Sequence, residues 1–314
     1  MSAPPRNRGH PLNPPIAWVG GKRSILDVVL EHFPLHFGRY IEVFGGSGVV
    51  LFGKEQTPFE VWNDYNNDLY NFFYCVKHKH LELLRELKFL PLCSRSEFHL
   101  MRAFLAGEPL PNIDFTAAND MVAQYLTAPE SAEITRILTT RCTLGDISRA
   151  AAFFKINRLS YGAKMDTFSL QPCDLRQFYG HITTAHERIQ RVVLENKDFG
   201  NILKVYDRTD AFFYIDPPYF KAEKLYAVEF SPADHLRLFQ ILTHKDFKGK
   251  WLLSYNNEDF IRWIYRDFPQ FCFERVNDLA LRYNPKAVYG EILIGNFDIG
   301  ERGRQHQQLE IVLS

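Results

Sequence analysis

The chain has 314 residues, which is enough for one full-sized domain or for a domain with an insertion. Its 37 basic and 37 acidic residues cancel, and a net charge of zero disfavours a protein that coats nucleic acid without regard to sequence. No apolar run approaches the ~18 residues of a membrane span, and the scattered cysteines and histidines lack metal-site spacings. We therefore expect a cytosolic protein with reduced thiols, no metal and no membrane partner.

The N-terminal part of the chain alternates strand and helix patterns after a polar start. Residues 1–15 are rich in Pro, Arg and Asn and predict a mobile tail or lid, and a helix is predicted over about 23–33. Short apolar runs predict strands over 40–44 and 59–63, and a long helix is expected over about 66–87. This rhythm is typical of a parallel sheet with crossover helices.

The rhythm stops in the middle of the chain. Residues 90–150 hold helical patterns between Pro and Gly breaks, without a convincing strand, and predict a helical insertion. A basic stretch runs from Arg136 to Lys164 and contains one acid, Asp146. Its charge suits a phosphate-binding face or a solvated helix face equally. The basic residues of this stretch are Arg136, Arg141, Arg149, Lys155, Arg158 and Lys164.

Strand and helix patterns resume toward the C-terminus, and the last two strands are expected to run antiparallel. In chain order the predicted elements are a strand near 192, a strand within 212–220, a helix over 231–244, a strand over 250–257, a helix over 258–266 and strands over 291–297 and 308–314.

The stretch FFYIDPPYF at 212–220 carries the strongest chemical signal. Its aromatic and β-branched residues predict a buried strand, and the Pro-Pro pair ends it because proline lacks an N–H and has a fixed φ. The chain leaves the sheet with Asp216 before the break and Tyr219 after it, at the strand end where α/β sheets bind ligands. This arrangement offers an acceptor for N–H groups and a flat ring on which a base can stack.

A glycine turn follows the first predicted strand. Gly46 and Gly48 let a ligand approach the backbone closely, but Leu51 breaks the dinucleotide fingerprint G-x-G-x-x-G, which disfavours an NAD enzyme. Asp64 ends the next strand, where such folds bind ribose hydroxyls; alternatively, it caps the helix that begins near Asn66.

A second glycine turn, WVGGKR, places Lys22 near the start of a helix. A cation there can serve the carboxylate of a ligand or a DNA phosphate, or it can lie in solvent beside a plain turn. The turn is not a P-loop because G-x-x-x-x-G-K-[ST] is not matched.

Seven motifs occur in the order of one enzyme family: PIAWVGGKRSIL, YIEVFGGSGVVLF, VWNDYNNDLYNFF, INRLSYGAK, ENKDF, FFYIDPPYF and LLSYNNEDFI. Over about residues 15–297 the chain resembles the Dam-like, class alpha (D12-type) adenine-specific DNA methyltransferases. It departs from them at Val43, where many members have Pro, at Gly45 in the loop, and in its longer N-terminal tail. None of these departures removes a group that the chemistry needs.

The resemblance implies an α/β fold, a Rossmann-like sheet of the AdoMet-dependent methyltransferase type with an inserted, mainly helical target-recognition domain. The implied divisions are a flexible tail over 1–15, an AdoMet-binding catalytic domain over 16–77 and 151–314, and the recognition insertion over 78–150. The implied partner is double-stranded DNA, in the cytoplasm of a bacterium or a phage-infected cell.

The resemblance also implies S-adenosylmethionine (AdoMet) as the cofactor. Trp18 and Lys22 would line its methionine side, Asp64 would bind its ribose, and Asp198 and Phe199 would contact its adenine. Without the resemblance, core packing explains Phe199 equally well. The full set of implied cofactor residues is Trp18, Lys22, Glu42, Phe44, Gly46, Gly48, Asp64, Asp198, Phe199 and Asp216.

The implied chemistry is methyl transfer to the 6-amino group of an adenine that is flipped out of the duplex. Asp216 and the carbonyl of Pro217 would each accept one amine N–H, and Tyr219 would stack on the base. The implied catalytic residues are Asp216, Pro217, Pro218 and Tyr219. In the DNA-facing loop, Arg158 and Lys164 would hold phosphates and Tyr161 would fill or brace the space left by the base.

Three rivals stay open. DPPY also serves the 4-amino group of cytosine, although the motif order favours adenine. RNA is disfavoured as a substrate because no recognisable RNA-binding module is appended. A catalytically silent AdoMet- or DNA-binding protein is the third rival, and the intact Asp216, Tyr219 and Asp64 speak against it. The recognition sequence, a cognate restriction endonuclease as partner, the phage or chromosomal origin, the preference for hemimethylated DNA and the oligomeric state are not predicted.

Overall fold

A mixed β-sheet organises the part of the chain that the structure, a computed structural model, describes: residues 12–18, 20–89, 95–108, 145–161, 165–169, 174–220, 230–276 and 288–305. Its strands are β1 (Arg39–Glu42), β2 (Phe59–Asn63), β3 (Val192–Glu195), β4 (Ala211–Ile215), β5 (Lys250–Asn256), β6 (Gln270–Val276) and β7 (Val288–Gly295). The order across the sheet is β3-β2-β1-β4-β5-β7-β6. Strands β1 to β5 are parallel, and β7 is antiparallel to β5 and β6.

Helices cover both faces of this sheet. They are α1 (Leu26–Glu31), α2 (Val49–Gly53), α3 (Asn67–His78), α4 (His80–Phe89), α5 (Arg95–Ala106), α6 (Ile147–Leu159), α7 (Tyr179–Ile189), α8 (Phe199–Tyr206), α9 (Pro232–Leu242) and α10 (Asp259–Ile264). Because strand side chains alternate, Tyr40 and Phe212 join the core under α1 to α7, whereas Ile41 and Phe213 join the core under α8 to α10.

The predicted α/β sheet is confirmed, with one strand missed. The runs predicted as strands near β1, β2, β3, β4, β5 and β7 all lie in the sheet, and β7 is antiparallel as expected. Strand β6 was missed because QFCFERV places Glu274 and Arg275 within the run, as an edge strand tolerates. The strand predicted over 308–314 lies outside the described residues.

The long helix predicted over 66–87 is wrong as one element, because Lys79 breaks it. Lys79 has φ −139° and ψ 35°, so α3 ends at His78 and α4 begins at His80. The side chain of Lys79 donates to the carbonyl of Gly145, 2.9 Å away, at the point where the chain returns from the insertion. Helix α4 then buries Leu83 and Leu87 in the core shared with α3.

Helix α6 returns the chain from the insertion and is buried on nearly every side, which corrects both interpretations of the basic stretch for two of its residues, Arg149 and Lys155. Arg149 binds Asp68, with a distance of 3.0 Å from Nη2 to Oδ2, and Lys155 is 1% exposed and lies 3.2 Å from Glu97. These side chains are neither a solvated face nor an open phosphate surface. The described helix α5 packs on α6, while residues 109–144 lie outside the described residues, so the predicted domain boundaries stay a prediction.

The end of the predicted N-terminal tail is part of the fold. Residues 1–11 lie outside the described part, but Pro14, Pro15 and Ile16 are buried. The segment is held by α6, because Asn157 exchanges two hydrogen bonds with the backbone of Ala17, at 3.2 Å and 2.7 Å. None of the described helices has the length and apolar character needed to cross a bilayer.

Candidate active site

A cavity of about 370 Å³ opens at the carboxyl ends of β1, β2 and β4. The crevice beyond the carboxyl ends of parallel strands is the usual ligand site of such sheets. The structure brings all but one of the predicted cofactor residues to this cavity. Those that line it are Trp18, Lys22, Glu42, Phe44, Gly46, Asp64, Asp198, Phe199 and Asp216; Gly48 does not line it.

The turn between β1 and α2 needs its glycines. Gly46 and Gly48 have φ of +50° and +74°, in the left-handed region that side chains rarely adopt. A Cβ on Gly46 would lie 2.8 Å from the ring of Trp18, and a Cβ on Gly45 would lie 2.1 Å from Nε1 of Trp62. The glycine at position 45, where the chain departs from the family pattern, is therefore required by the close approach of Trp62.

Asp64 stands between the glycine turn and α3. Its Oδ2 accepts the N–H of Gly46 and its Oδ1 accepts the N–H of Asn66, both at 2.9 Å. The cap of α3 is Asn66, whose side chain accepts from the N–H groups of Asp68 and Leu69. The alternative in which Asp64 caps this helix is therefore wrong. Burial raises the pKa of Asp64, and its carboxyl faces the cavity.

Asp216 closes β4 at the edge of the cavity. Its Oδ2 lies 2.6 Å from Nζ of Lys22, while its Oδ1 is buried without a hydrogen-bond partner among the described residues. Burial raises the pKa of Asp216 to about 6, against the opposing effect of Lys22. Nζ of Lys22 also lies 4.7 Å from the ring centroid of Tyr219. A carboxylate oxygen, a cation and an aromatic face thus meet at one point.

Glu42 is a second carboxyl with an unusual environment. It ends β1, is 2% exposed, and accepts the hydroxyl of Tyr40 at 2.8 Å. Burial raises its pKa to about 8, although Tyr40 and the nearby Lys54 oppose the shift. With the half-buried Asp64 and Asp216, it gives the cavity three carboxyl groups of raised pKa, a feature that clusters at functional sites.

The far end of the cavity is formed at the start of α8. Asp198 caps this helix through the N–H of Gly200 and also binds Arg237 of α9 through two contacts of 2.9 and 2.7 Å. The Arg237 guanidinium lies 4.0 Å from the ring centroid of Phe199. Phe199 is 5% exposed and packs near Phe44, so it belongs to the core and to the cavity wall at once.

Arg237 is the residue of this end that sequence reasoning missed. It hydrogen-bonds to Asp198 and lowers the pKa of that carboxyl. Its local sequence signal is only the i,i+3 pair with Asp234, which is the pattern of an ordinary surface helix. Met165 was missed as well: it lines the cavity with φ of 61°, an uncommon backbone angle for a residue with a side chain.

The three residues predicted to contact DNA have different surroundings. Arg158 is half-buried, donates through Nε to the carbonyl of Pro15 at 3.1 Å, and lies 3.9 Å from the ring centroid of Phe178. Tyr161 is 42% exposed just beyond α6. Lys164 lies outside the described residues.

Within the described part of the chain, no group of three or more His, Cys, Asp or Glu side chains is placed to hold a metal ion. The groups that line the cavity include carboxyl groups, Lys22, Arg237 and aromatic faces.

Comparison with known proteins agrees with this architecture. Residues 18–139 and 176–280 match the family model of the D12 class N6 adenine-specific DNA methyltransferases. The chain is also 22% identical, over 272 residues, to the type II methyltransferase M.CviBI of Paramecium bursaria Chlorella virus NC1A; the match covers 84% of this chain and 90% of that protein. Since the family model matches well over half of the residues, the chain belongs to the D12 class N6 adenine-specific DNA methyltransferase family and is, by family, a DNA methyltransferase.

Proposed function

We propose that the protein transfers the methyl group of AdoMet to the 6-amino group of an adenine, at a specific site in double-stranded DNA. The observation that carries this proposal is Oδ1 of Asp216, a buried acceptor without a described partner that lies at the edge of the cavity. Buried polar atoms without partners are rare, and an amine N–H is a donor that this oxygen can accept.

The cavity fits AdoMet by size and by charge. Its volume of about 370 Å³ lies in the range of roughly 300–1,000 Å³ of small-molecule pockets. AdoMet carries a sulfonium, an ammonium, a ribose diol and an adenine. Glu42 and Asp64 offer acceptors for the ammonium and the diol, and Phe199 offers a ring face for the adenine. Trp18 closes the methionine side, against Gly46.

When bound, AdoMet supplies an electrophilic methyl group. The protein's task is to make a poor nucleophile, the conjugated amine of adenine, attack it. Asp216 Oδ1 and the carbonyl of Pro217 each accept one N–H, which draws the nitrogen toward a tetrahedral shape and aims its lone pair. The Pro-Pro pair fixes the backbone that presents these acceptors, so positioning supplies much of the rate.

The target base must leave the duplex to reach Asp216, at a cost of a few kcal/mol. Stacking on an aromatic ring returns about 1–3 kcal/mol, and Tyr219 is the ring placed beside Asp216. Lys22 binds the other carboxylate oxygen, Oδ2, and thereby leaves Oδ1 as the acceptor for the base. In this view Lys22 holds Asp216 in position as well as lining the cofactor cavity.

The decisive experiment is transfer of labelled methyl from AdoMet to unmethylated genomic DNA, digested to nucleosides and analysed by mass spectrometry. We expect methyl label in adenosine. Label in cytidine would mean that the same mechanism acts on the 4-amino group of cytosine. No label in DNA, despite measurable AdoMet binding, would favour RNA as substrate or a silent binding protein.

Asp216→Ala should lower methyl transfer by at least about a hundredfold, because removal of one preorganised polar contact in an active site costs roughly 10²–10³ in rate. AdoMet affinity should stay within about threefold of the wild-type value. The matched control is Asp210→Ala, an exposed acid just before β4 at its opposite end. Near-wild-type turnover of the Asp216 variant would contradict the assignment.

A further inference from the structure

Tyr219, whose ring is proposed to stack on the target base, is hydrogen-bonded to a strand at the antiparallel end of the sheet. Its hydroxyl donates a hydrogen bond to Oε2 of Glu291, on β7. Glu291 is 1% exposed, and its Oε1 lies 3.3 Å from Nε of Arg275, on the neighbouring strand β6. A carboxylate, a guanidinium and a phenol hydroxyl are thus linked behind the pocket of the base.

The strand that carries Glu291 also supports the backbone after Tyr219. Glu291 is paired with Asn256 of β5, and Nδ2 of Asn256 donates to the carbonyl of Phe220 at 3.0 Å. Two opposed residues of β5 and β7 therefore hold two consecutive residues of the loop, one by its side chain and the other by its backbone. Neither Glu291 nor Asn256 lines the cavity of the cofactor.

A buried carboxylate is retained at a cost that its partners must offset. Here the partners are a guanidinium and the hydroxyl of Tyr219, whose pKa burial raises well above its ordinary value, so the phenol stays a donor. The bond acts on the end of the ring opposite its Cβ. A ring held at both ends keeps one plane, and stacking on a base depends on that plane.

We propose that Glu291, supported by Arg275, is a positioning residue for methyl transfer: it fixes the ring plane of Tyr219 against the target base. This inference rests on the proposed function of Tyr219. Glu291 acts through Tyr219 and contacts neither the cofactor cavity nor the reacting amine. Through Glu291, the antiparallel end of the sheet, which is remote in sequence from DPPY, contributes to the positioning of Tyr219.

The test is a double-mutant cycle between Tyr219→Phe and Glu291→Met, read as the single-turnover rate of methyl transfer at saturating AdoMet and DNA. Tyr219→Phe keeps the ring and removes its hydroxyl, while Glu291→Met removes the acceptor at similar volume. We expect each single variant to lose about ten- to fiftyfold in rate. The double variant should be no more than about twofold slower than the worse single variant, with AdoMet affinity unchanged throughout.

Two further variants separate positioning from stability. Glu291→Gln keeps an acceptor for the hydroxyl and should recover most of the rate. Glu291→Met with Arg275→Met removes both charges, a change that proteins often tolerate, so it provides a folded variant without the acceptor if the single variant does not fold. The matched control is Glu274→Ala, an exposed acid of β6 next to Arg275, which should leave the rate unchanged.

Rate losses of Tyr219→Phe and Glu291→Met that multiply would overturn the inference, as would full activity of the charge-free double variant. Both results presuppose a wild-type protein that methylates DNA. Failure of the wild-type protein to label DNA would instead end the proposed function, so the two failures are distinguishable.

Discussion

Three carboxyl groups with little exposure lie at the carboxyl ends of strands of the parallel sheet. Glu42 closes β1, Asp64 follows β2 and Asp216 follows β4, and burial raises the pKa of all three. A cation placed among them would be attracted by each carboxylate and would lower each pKa again. The residues are therefore poised to gain favourable interactions when a positively charged ligand enters, which is the charge of the AdoMet sulfonium.

The pKa of Asp216, raised to about 6, predicts the pH dependence of catalysis. Below that pH the carboxyl is protonated and a donor O–H competes with acceptance of the amine N–H. We therefore expect kcat/KM to rise with pH through about 6 and to level off above about 7. The measurement is kcat/KM from pH 5 to 8, with AdoMet affinity recorded at each pH as the control. A flat profile across this range would contradict the role of Asp216.

The raised pKa of Glu42 predicts that this residue lowers the free energy of unfolding at high pH, while its charge contributes to cofactor binding. Its folded pKa of about 8 lies above the ordinary value of 4.5, so the folded state holds a proton that the unfolded chain releases, and the free energy of unfolding falls as pH rises from about 4.5 to 8. Glu42→Gln removes this fall in the free energy of unfolding, because an amide does not titrate. At pH 8 and without cofactor, the variant should be more stable than the wild type by on the order of a few kcal/mol.

The same substitution should weaken AdoMet binding, because the amide carries no charge for the cofactor ammonium. Denaturant unfolding at pH 4.5 and 8 checks the stability change, and the difference between the two proteins should nearly vanish at pH 4.5. A difference that is the same at both pH values would mean that the titration of Glu42 is not its cause.

At the scale of elements, sequence patterns predict the strands and turns, because these depend mainly on residues that are neighbours in the sequence. The strands of the parallel half are aromatic and β-branched runs, and the turns at Gly46 and Pro217 follow from backbone chemistry. Contacts between distant segments have no local signature: Lys22 binds Asp216, and Tyr219 binds Glu291. For the same reason the sequence suggested which residues form the site but not that α6 is buried.

Helix α6 connects the N-terminal segment to the catalytic core, and Asn157 is one of the residues through which it does so. Its amide is 2% exposed and satisfies both the N–H and the carbonyl of Ala17, next to Trp18 of the cavity wall. Asn157→Ala should reduce AdoMet affinity by about tenfold, since unpaired buried polar groups cost roughly 1–3 kcal/mol each. Calorimetric titration with AdoMet checks this, with the exposed Ser148→Ala of the same helix as control. Unchanged affinity would mean that the hydrogen bonds between α6 and Ala17 do not affect AdoMet binding.

For the whole molecule, a net charge of zero means that DNA is not attracted by the overall field. Two cations that sequence reasoning would count toward a binding face are paired inside the protein: Arg149 binds Asp68 and Lys155 binds Glu97. We therefore expect the phosphate contacts to be few and local. Charge composition therefore did not identify a DNA-binding face, whereas nine of the ten cofactor residues predicted from the motifs line one cavity.

A small number of phosphate contacts predicts a shallow dependence of DNA affinity on salt, with a slope of about −0.9 per neutralised phosphate. If Arg158, in the last turn of α6, and Lys164, which follows the helix in sequence, each make one of them, Arg158→Ala and Lys164→Ala should each reduce the steepness of log K against log salt by about one. Lys204→Ala, an exposed lysine of α8 on the opposite face of the sheet, is the matched control and should leave the slope unchanged. If Arg158→Ala leaves the slope unchanged but weakens AdoMet binding, Arg158 serves only to hold Pro15. If neither variant changes the slope, the phosphate contacts lie on another surface.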